Sequence, residues 1–319
     1  MGVREMATQE ATEGPAPAAS VPLEVRIGFA HASLQWIADR CGADLIHVKG
    51  AALDPTLVPG RGFSDADVLA RPQQVRMLLD ELRRHDWELI NTFAYGSSFE
   101  HSATLRHKDF GLLDLHRIYP GTGPTPEQAF DTLWSARTTT VIGGRDCAVP
   151  SRAAQAALLL LHAARGGTDP KAANDVEWVW TAAGPDDREQ ILEWVRRLDA
   201  ELGFSVITGT LDEHRDDPAY DLWRVASRGG TRMDEWRARV RAARGARTKL
   251  AVAARSVLVN VEHLTIVRGR PVSRREVVAE FFERPVRGLR EQVTRRAGTA
   301  LGRAGARHRE PVPPATDDR

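Results

Sequence analysis

The chain has 319 residues, 42% hydrophobic and 27% charged, with 44 Lys and Arg against 43 Asp and Glu for a net charge of +1. That length supports two hydrophobic cores, and the composition excludes collagen-like, disulfide-framework and wholly disordered classes. No apolar run reaches the roughly 18 residues of a membrane span, and the N-terminus lacks the basic-then-apolar order of a secretory leader, so a cytoplasmic protein with no membrane partner is expected. Cys41 and Cys147 are too few for a disulfide framework or a zinc cluster and read as buried free thiols.

The small net charge conceals an asymmetry. Residues 1–231 hold 23 Lys and Arg against 33 Asp and Glu, whereas residues 232–308 hold 19 against 7. An arginine-rich segment suits an anionic partner, or arginines on solvated helix faces that pair with the acidic front.

In chain order, residues 1–21 are small, polar and proline-bearing and read as a disordered tail. Apolar positions over Leu23–Cys41 predict a helix that Gly42 stops. DLIHVKG predicts a short strand ending in glycine, and DADVLA a second after a turn-rich loop. Pro72 opens the clearest amphipathic helix of the front half, with Val75, Leu78, Leu79 and Leu82 at helical spacing. WELINTF, SFEHSATLRH and FGLLDLHRI read as strands, and Gly143 and Gly144 between β-prone runs predict a hairpin. After Pro150 the pattern becomes helical: Ser151 is a good N-cap for RAAQAALLLLHAAR, which is apolar nearly all round and so expected to be buried. Further helical patterns follow to about residue 295, and residues 296–319 read as a second disordered tail. The fold class predicted is α+β, a small mixed-sheet unit over 22–150 followed by an α-helical one over 151–295.

The chemistry concentrates in VKGAALDPTLVPGRGFSDADVLA. In a strand, Asp65, Asp67 and Leu69 share one face, so two carboxylates stand side by side. Magnesium takes hard oxygen ligands, commonly one or two carboxylates plus phosphate oxygens and water. Acid-x-acid pairs arise by chance about six times in a chain with this many acids, so the context must carry the weight. Lys49 and Gly50 end the preceding strand, and glycine lets backbone N–H groups approach phosphate oxygens. Arg61 in the connecting loop offers a phosphate contact. Asp114, in the middle of the apolar strand FGLLDLHRI, is costly to bury unpaired and is the best third carboxylate. His116 shares its face and, with Ser64, would orient the acids or touch substrate. Lys171 and Asp175, four apart, fit either a surface ion pair or a lysine directed at phosphate. The tryptophans, Trp36, Trp178, Trp180 and Trp194, read as core.

The succession of a strand ending KGAAL, an arginine-bearing loop, SDADVL, a helix and then LDLH resembles the uncharacterised bacterial nucleotidyltransferase family within the DNA polymerase β-like superfamily. PSRAAQAALLLLHAARG and KAANDVEWV extend the resemblance, which covers about residues 44–180. It implies a mixed-sheet catalytic unit that binds Mg²⁺ or Mn²⁺ at Asp65 and Asp67, with Asp114 as the third acid and nucleotide near Gly50. The commoner Gly-Ser turn of the superfamily is replaced by Lys49, Gly50 and Ala51, which removes a serine contact to phosphate.

The resemblance therefore implies transfer of a nucleoside monophosphate from a nucleoside triphosphate to an acceptor. Asp114 would complete a second metal site or take the acceptor's proton, and the acceptor would be a small molecule or peptide, with RNA also open. The alternatives are a noncatalytic binding partner of the same fold in a biosynthetic or toxin-antitoxin system, or another phosphoryl-transfer enzyme using the same metal ligands.

Overall fold

The computed structural model describes residues 21–123, 125–257, 272–277 and 279. The two expected tails, apart from Val21, and much of the arginine-rich segment lie outside the described residues.

The first helix, α1, spans Leu23–Cys41, and Gly42 ends it at φ 71°, the left-handed conformation that glycine adopts at least cost. Its buried residues Ile27, Ala30, His31, Leu34, Ile37 and Ala38 follow a helical period. Val25, Phe29 and Trp36 fall off that stripe and are exposed. Trp36, expected in the core, instead stands edge-on to His85 and beneath the Arg40 guanidinium.

The strands β1 (Leu45–His47), β2 (Asp65–Ala70), β3 (Glu88–Asn91), β4 (Ser102–His107) and β5 (Gly111–His116) form one sheet in the order β1-β2-β5-β4-β3. Only β2 and β5 run parallel. A parallel pair needs a crossover. Here it includes α2 (Val75–Arg84), the short α3 (Phe93–Gly96), β3 and β4. A single 3₁₀ turn over Pro72–Gln74 precedes α2, so the proline opens the turn rather than the α-helix itself.

The two faces of the sheet have different fates. Ala66, Val68, Ala70, Leu113 and Leu115 pack with α1 and α2 residues in one apolar cluster. Ile46, Val48 and Leu69 turn the other way and join a second cluster with Phe130 and with Leu158, Leu159, Leu160 and Leu161 of α5 (Arg152–Ala163). Asp65, Asp67 and Asp114 lie on that second face, so the carboxylates look toward the helical half.

Helix α4 (Pro126–Ser135), not among the expected elements, carries its own capping signal: Thr125 accepts from the Gln128 amide, and Pro126 occupies the first turn. The hairpin β6 (Thr138–Ile142) and β7 (Arg145–Val149) turns at Gly143 and Gly144 as expected. Gly143 is required twice over, by its φ of 60° and by the Gly28 carbonyl oxygen, which would lie 2.3 Å from an added Cβ. Ser151 stands at the N-cap of α5 but its side chain makes no capping bond. The backbone amide of Gln155 bonds the Ser151 carbonyl as in an ordinary first turn, and the Gln155 side chain donates to the Pro150 carbonyl.

Among the described residues, everything after α5 is helix and turn. The helices are α6 (Pro170–Val176), α7 (Pro185–Arg197), α8 (Glu201–Thr208), α9 (Tyr220–Arg228), α10 (Arg232–Ala242) and α11 (Ala246–Val257). A π-helical turn, Glu177–Thr181, continues α6. It leaves Trp178 exposed while Val179 stays buried, so Trp178 is not the core residue its composition suggested. Trp194 is buried, and Trp180 packs at the margin of the second cluster. No helix among the described residues is long and apolar enough to cross a membrane.

Candidate active site

Strand register brings the acids together. In the parallel β2–β5 pair Asp67 is the partner of Asp114, and Asp65 of Leu112. Alternation along β2 then puts Asp65 on the same side as Asp67, one pleat away. Ligand atoms of Asp67, Asp114 and His116 all lie within 4.8 Å of one another. Asp65 stands outside that group but feels it: burial first, and then the charges of Asp67 and Asp114, push its carboxyl above the usual range. A further source of negative charge is thus held close to two others, an arrangement that a cation relieves.

Asp67 is the most constrained of the three. It is 4% exposed, and its Oδ1 lies 2.5 Å from Lys49 Nζ and 2.9 Å from His116 Nε2. Burial opposes its ionisation, yet the Lys49 charge and the bond from His116 outweigh that and hold the carboxyl well below the usual range. The same pairing works in reverse on Lys49, where the attraction of Asp67 overcomes desolvation and raises the ammonium pKa. Asp114 accepts from Thr104 Oγ1 at 2.8 Å across the β4–β5 pair, where the two are register partners.

The groups fit a divalent cation. Two carboxylates supply hard oxygens, and a neutral imidazole is a donor that Mn²⁺ tolerates more readily than Mg²⁺. The Nδ1 of His116 is buried with no hydrogen-bond partner, so the ring carries a donor or acceptor that the protein leaves unused. His116, expected to orient the acids, therefore stands within the ligand group itself.

The loop before β2 is tied down from the helical half. Arg61 donates from Nε to Asp175 Oδ1 at 2.7 Å and from Nη2 to Oδ2 at 2.9 Å, a bidentate pair with both side chains largely buried. Lys171 Nζ donates to the Gly62 carbonyl at 2.9 Å. The structure thus directs Arg61 at Asp175, and Lys171 at the backbone of the same loop. Lys171 does not pair with Asp175, because Arg61 occupies that carboxylate. Gly50 takes φ +50° in a 3₁₀ turn, Gly50–Ala52, and an added Cβ there would come within 3.5 Å of the Asp65 carbonyl oxygen. Ser64 donates to Asp65 Oδ1 over a long 3.3 Å.

Three groups near the acids were not singled out from the sequence. His101 packs against His116 with ring centroids 5.0 Å apart and planes tilted by 43°, and Arg165 donates to both His101 and His162. Tyr119, three residues past the end of β5, is buried and donates to the Leu158 carbonyl at 2.7 Å. His162 lies in the last turn of α5 and Arg165 in the turn that follows it, where Arg165 Nη2 reaches His162 Nδ1 at 3.3 Å.

Several solved structures are similar to the chain. Lincosamide antibiotic adenylyltransferase LnuA with lincomycin bound is 18% identical, covering 53% of this chain and 94% of its own, at a TM-score of 0.31. The antibiotic-resistance factor ANT(2'')-Ia is 15% identical, covering 60% and 93%, at 0.33. An antigenic nucleotidyltransferase-like protein from Paracoccidioides brasiliensis is 17% identical, covering 58% and 92%, at 0.33. No functionally curated protein matches. Residues 34–214, more than half the chain, match a defined family and include all the acids described above. The chain belongs to the family of uncharacterised nucleotidyltransferases.

Proposed function

We propose that the protein transfers a nucleoside monophosphate from a nucleoside triphosphate to an acceptor hydroxyl or other nucleophile, with a divalent ion, Mg²⁺ or Mn²⁺, as cofactor. The observation that carries this reading is the in-register pairing of Asp67 with Asp114, with Asp65 one pleat along the same face. Asp67, Asp114 and His116 would hold the ion, with Asp65 beside them. When bound, the ion supplies charge neutralisation at the phosphates and orients them.

The protein's own groups account for the rest. The Gly50 turn lies against the start of β2 and presents backbone without a side chain to a phosphate. Lys49 adds a fixed positive charge beside Asp67. Asp114, steadied by Thr104, is the base for the acceptor hydroxyl. The acceptor oxygen forms a bond to the α-phosphorus, the bridging oxygen bond between α and β phosphorus breaks, and pyrophosphate leaves with the electron pair. The hydroxyl proton passes to the Asp114 carboxylate. Small-molecule or peptide acceptors are favoured, since the acids lie on the sheet face that packs toward α5, at the margin between the sheet and the helices.

The deciding experiment offers all four triphosphates, labelled at the α or the γ phosphate, with pooled candidate acceptors. Label retained from the α position in product supports nucleotidyl transfer. Retention of γ label alone indicates a kinase instead. Lack of any nucleotide-induced rise in melting temperature would favour a noncatalytic binding protein.

A further inference from the structure

Three cations of the candidate site and its loop have different partners. Lys49 is paired with Asp67 and Arg61 with Asp175. Arg165 has no carboxylate within salt-bridge distance among the described residues. Its Nη1 donates to Nε2 of His101 at 3.2 Å, its Nη2 to Nδ1 of His162 at 3.3 Å, and its Nε to the Leu161 carbonyl at a long 3.4 Å.

Those two bonds fix the imidazoles as neutral. With Nε2 accepting, His101 carries its proton on Nδ1, which faces Ser97 Oγ. With Nδ1 accepting, His162 carries its proton on Nε2. Burial, then the neighbouring charges, keep both rings deprotonated; for His101 these include His116 and Arg165, for His162 Lys49 and Arg165. The guanidinium thus donates only to neutral acceptors, with its Cζ 5.6 Å from the Phe99 ring centroid, and burial draws its own pKa down against the opposing pull of Tyr119 and Asp67. Neutral hydrogen bonds do not cancel a full charge held away from water; an anion does. Each terminal nitrogen of the guanidinium also has two N–H groups and only one imidazole to receive them.

Register places this group relative to the acids. The Gly50 turn approaches the Asp65 end of β2. His116 pairs with Leu69, two residues beyond Asp67, or about 6.6 Å along the strand. His101 packs against His116, and Arg165 reaches His101. Along the strands, the Gly50 turn thus stands at the Asp65 end and the His101–Arg165 pair at the His116 end, with Asp67 and Asp114 between. A transfer reaction needs its donor phosphates and its acceptor on opposite sides of the reacting phosphorus.

We propose that Arg165, with His101 and His162, forms an oxyanion subsite that holds a carboxylate or phosphate of the acceptor. The acceptor assignment rests on the nucleotidyl-transfer reading; the existence of the subsite does not. A guanidinium fork suits both oxyanions, since each offers two oxygens to parallel N–H donors.

The test is calorimetric titration of the full chain with inorganic phosphate and, separately, with acetate, alone and after saturation with Mg²⁺ and α,β-methylene-ATP. The expected result is binding of at least one anion by the unliganded chain, weakened tenfold or more in Arg165→Met and by a smaller factor in Arg165→Lys, and retained when the ATP analogue is bound. The better binder of the two tells a phosphate-bearing from a carboxylate-bearing acceptor. Binding by neither anion, or equal binding by wild type and both variants, overturns the subsite. Loss of anion binding on adding the analogue overturns the acceptor assignment, because the same donors then hold the triphosphate. Absence of any heat from the analogue counts against adenine-nucleotide use alone, and the titrations on the unliganded chain still decide the subsite. Should Arg165→Met fail to melt cooperatively, Arg165→Lys, which keeps the charge but not the fork, carries the comparison.

Discussion

Lys49 and Asp67 form a close ion pair in the floor of the candidate site, 2.5 Å apart with side chains only 11% and 6% exposed. Lys49 adopts φ 57°, an uncommon conformation for a residue with a side chain, at the point where the chain leaves β1. Replacing the lysine by methionine leaves Asp67 with His116 alone. The expected cost is about 3 kcal/mol, read from urea denaturation, since breaking one half of a buried pair strands the other charge. Mn²⁺ should then stabilise Lys49→Met more than it stabilises the wild type. Equal stability of the two proteins without metal would show that the pair contributes nothing.

The Arg61–Asp175 pair fastens the loop before β2 to α6, with side chains 8% and 1% exposed. Asp175→Ala is expected to lose about 3 to 5 kcal/mol because it leaves the guanidinium buried without its partner. The double variant Arg61→Met with Asp175→Leu should recover most of that loss. A double-mutant cycle in urea measures the coupling, and strictly additive effects would contradict it.

Acid should weaken the fold before the carboxylates titrate. His31 is pushed down to about 4 by burial, against which Asp67 pulls only partly, and His162 is pushed down to about 2 by burial and nearby cations. A group whose folded pKa is depressed binds fewer protons folded than unfolded, so the fold loses stability as pH falls below the unfolded value near 6.5. The slope is about 1.4 kcal/mol per pH unit for each ring that remains neutral. Asp67 adds a loss below about pH 4, where the unfolded carboxylate takes up a proton that the folded one refuses. Urea midpoints taken from pH 7.5 to 5 test the histidine part, and a flat profile over that range would contradict it.

Gly143→Ala should be far more damaging than Gly144→Ala. Both glycines have positive φ, but an added Cβ at Gly143 would meet the Gly28 carbonyl oxygen at 2.3 Å, whereas that at Gly144 meets nothing within 4 Å. About 1 kcal/mol is expected at Gly144 from backbone conformation alone, and more than 2 kcal/mol at Gly143, where α1 and the hairpin must also separate. Thermal melts of the two variants decide it.

Much of this was legible in the chain because local rules were enough. The period of Ile27, Leu34 and Ile37 and the stop at Gly42 define α1, and the alternation of Leu113, Asp114 and Leu115 sets which way the third acid points. The helix at Pro126–Ser135 could have been found from Thr125 and Gln128. Other features depend on contacts distant in sequence. Nothing local tells that Arg61 meets Asp175, 114 residues away, and not a phosphate. Likewise, that His116 joins the ligand group follows from a parallel pairing whose register no spacing reveals. The exposure of Trp178 depends on a π turn, which widens the helix by a fraction of a residue and rotates the ring outward from its expected stripe.

One apolar cluster contains Ile46 and Leu69 from the sheet together with Leu158, Trp194 and Phe204 from beyond Pro150. Solvent cannot reach the underside of the sheet without also reaching the helices above it. A calorimeter should therefore record one endotherm for the described body, and a protease given access to the Pro150 connection should yield fragments that copurify until denaturant is added.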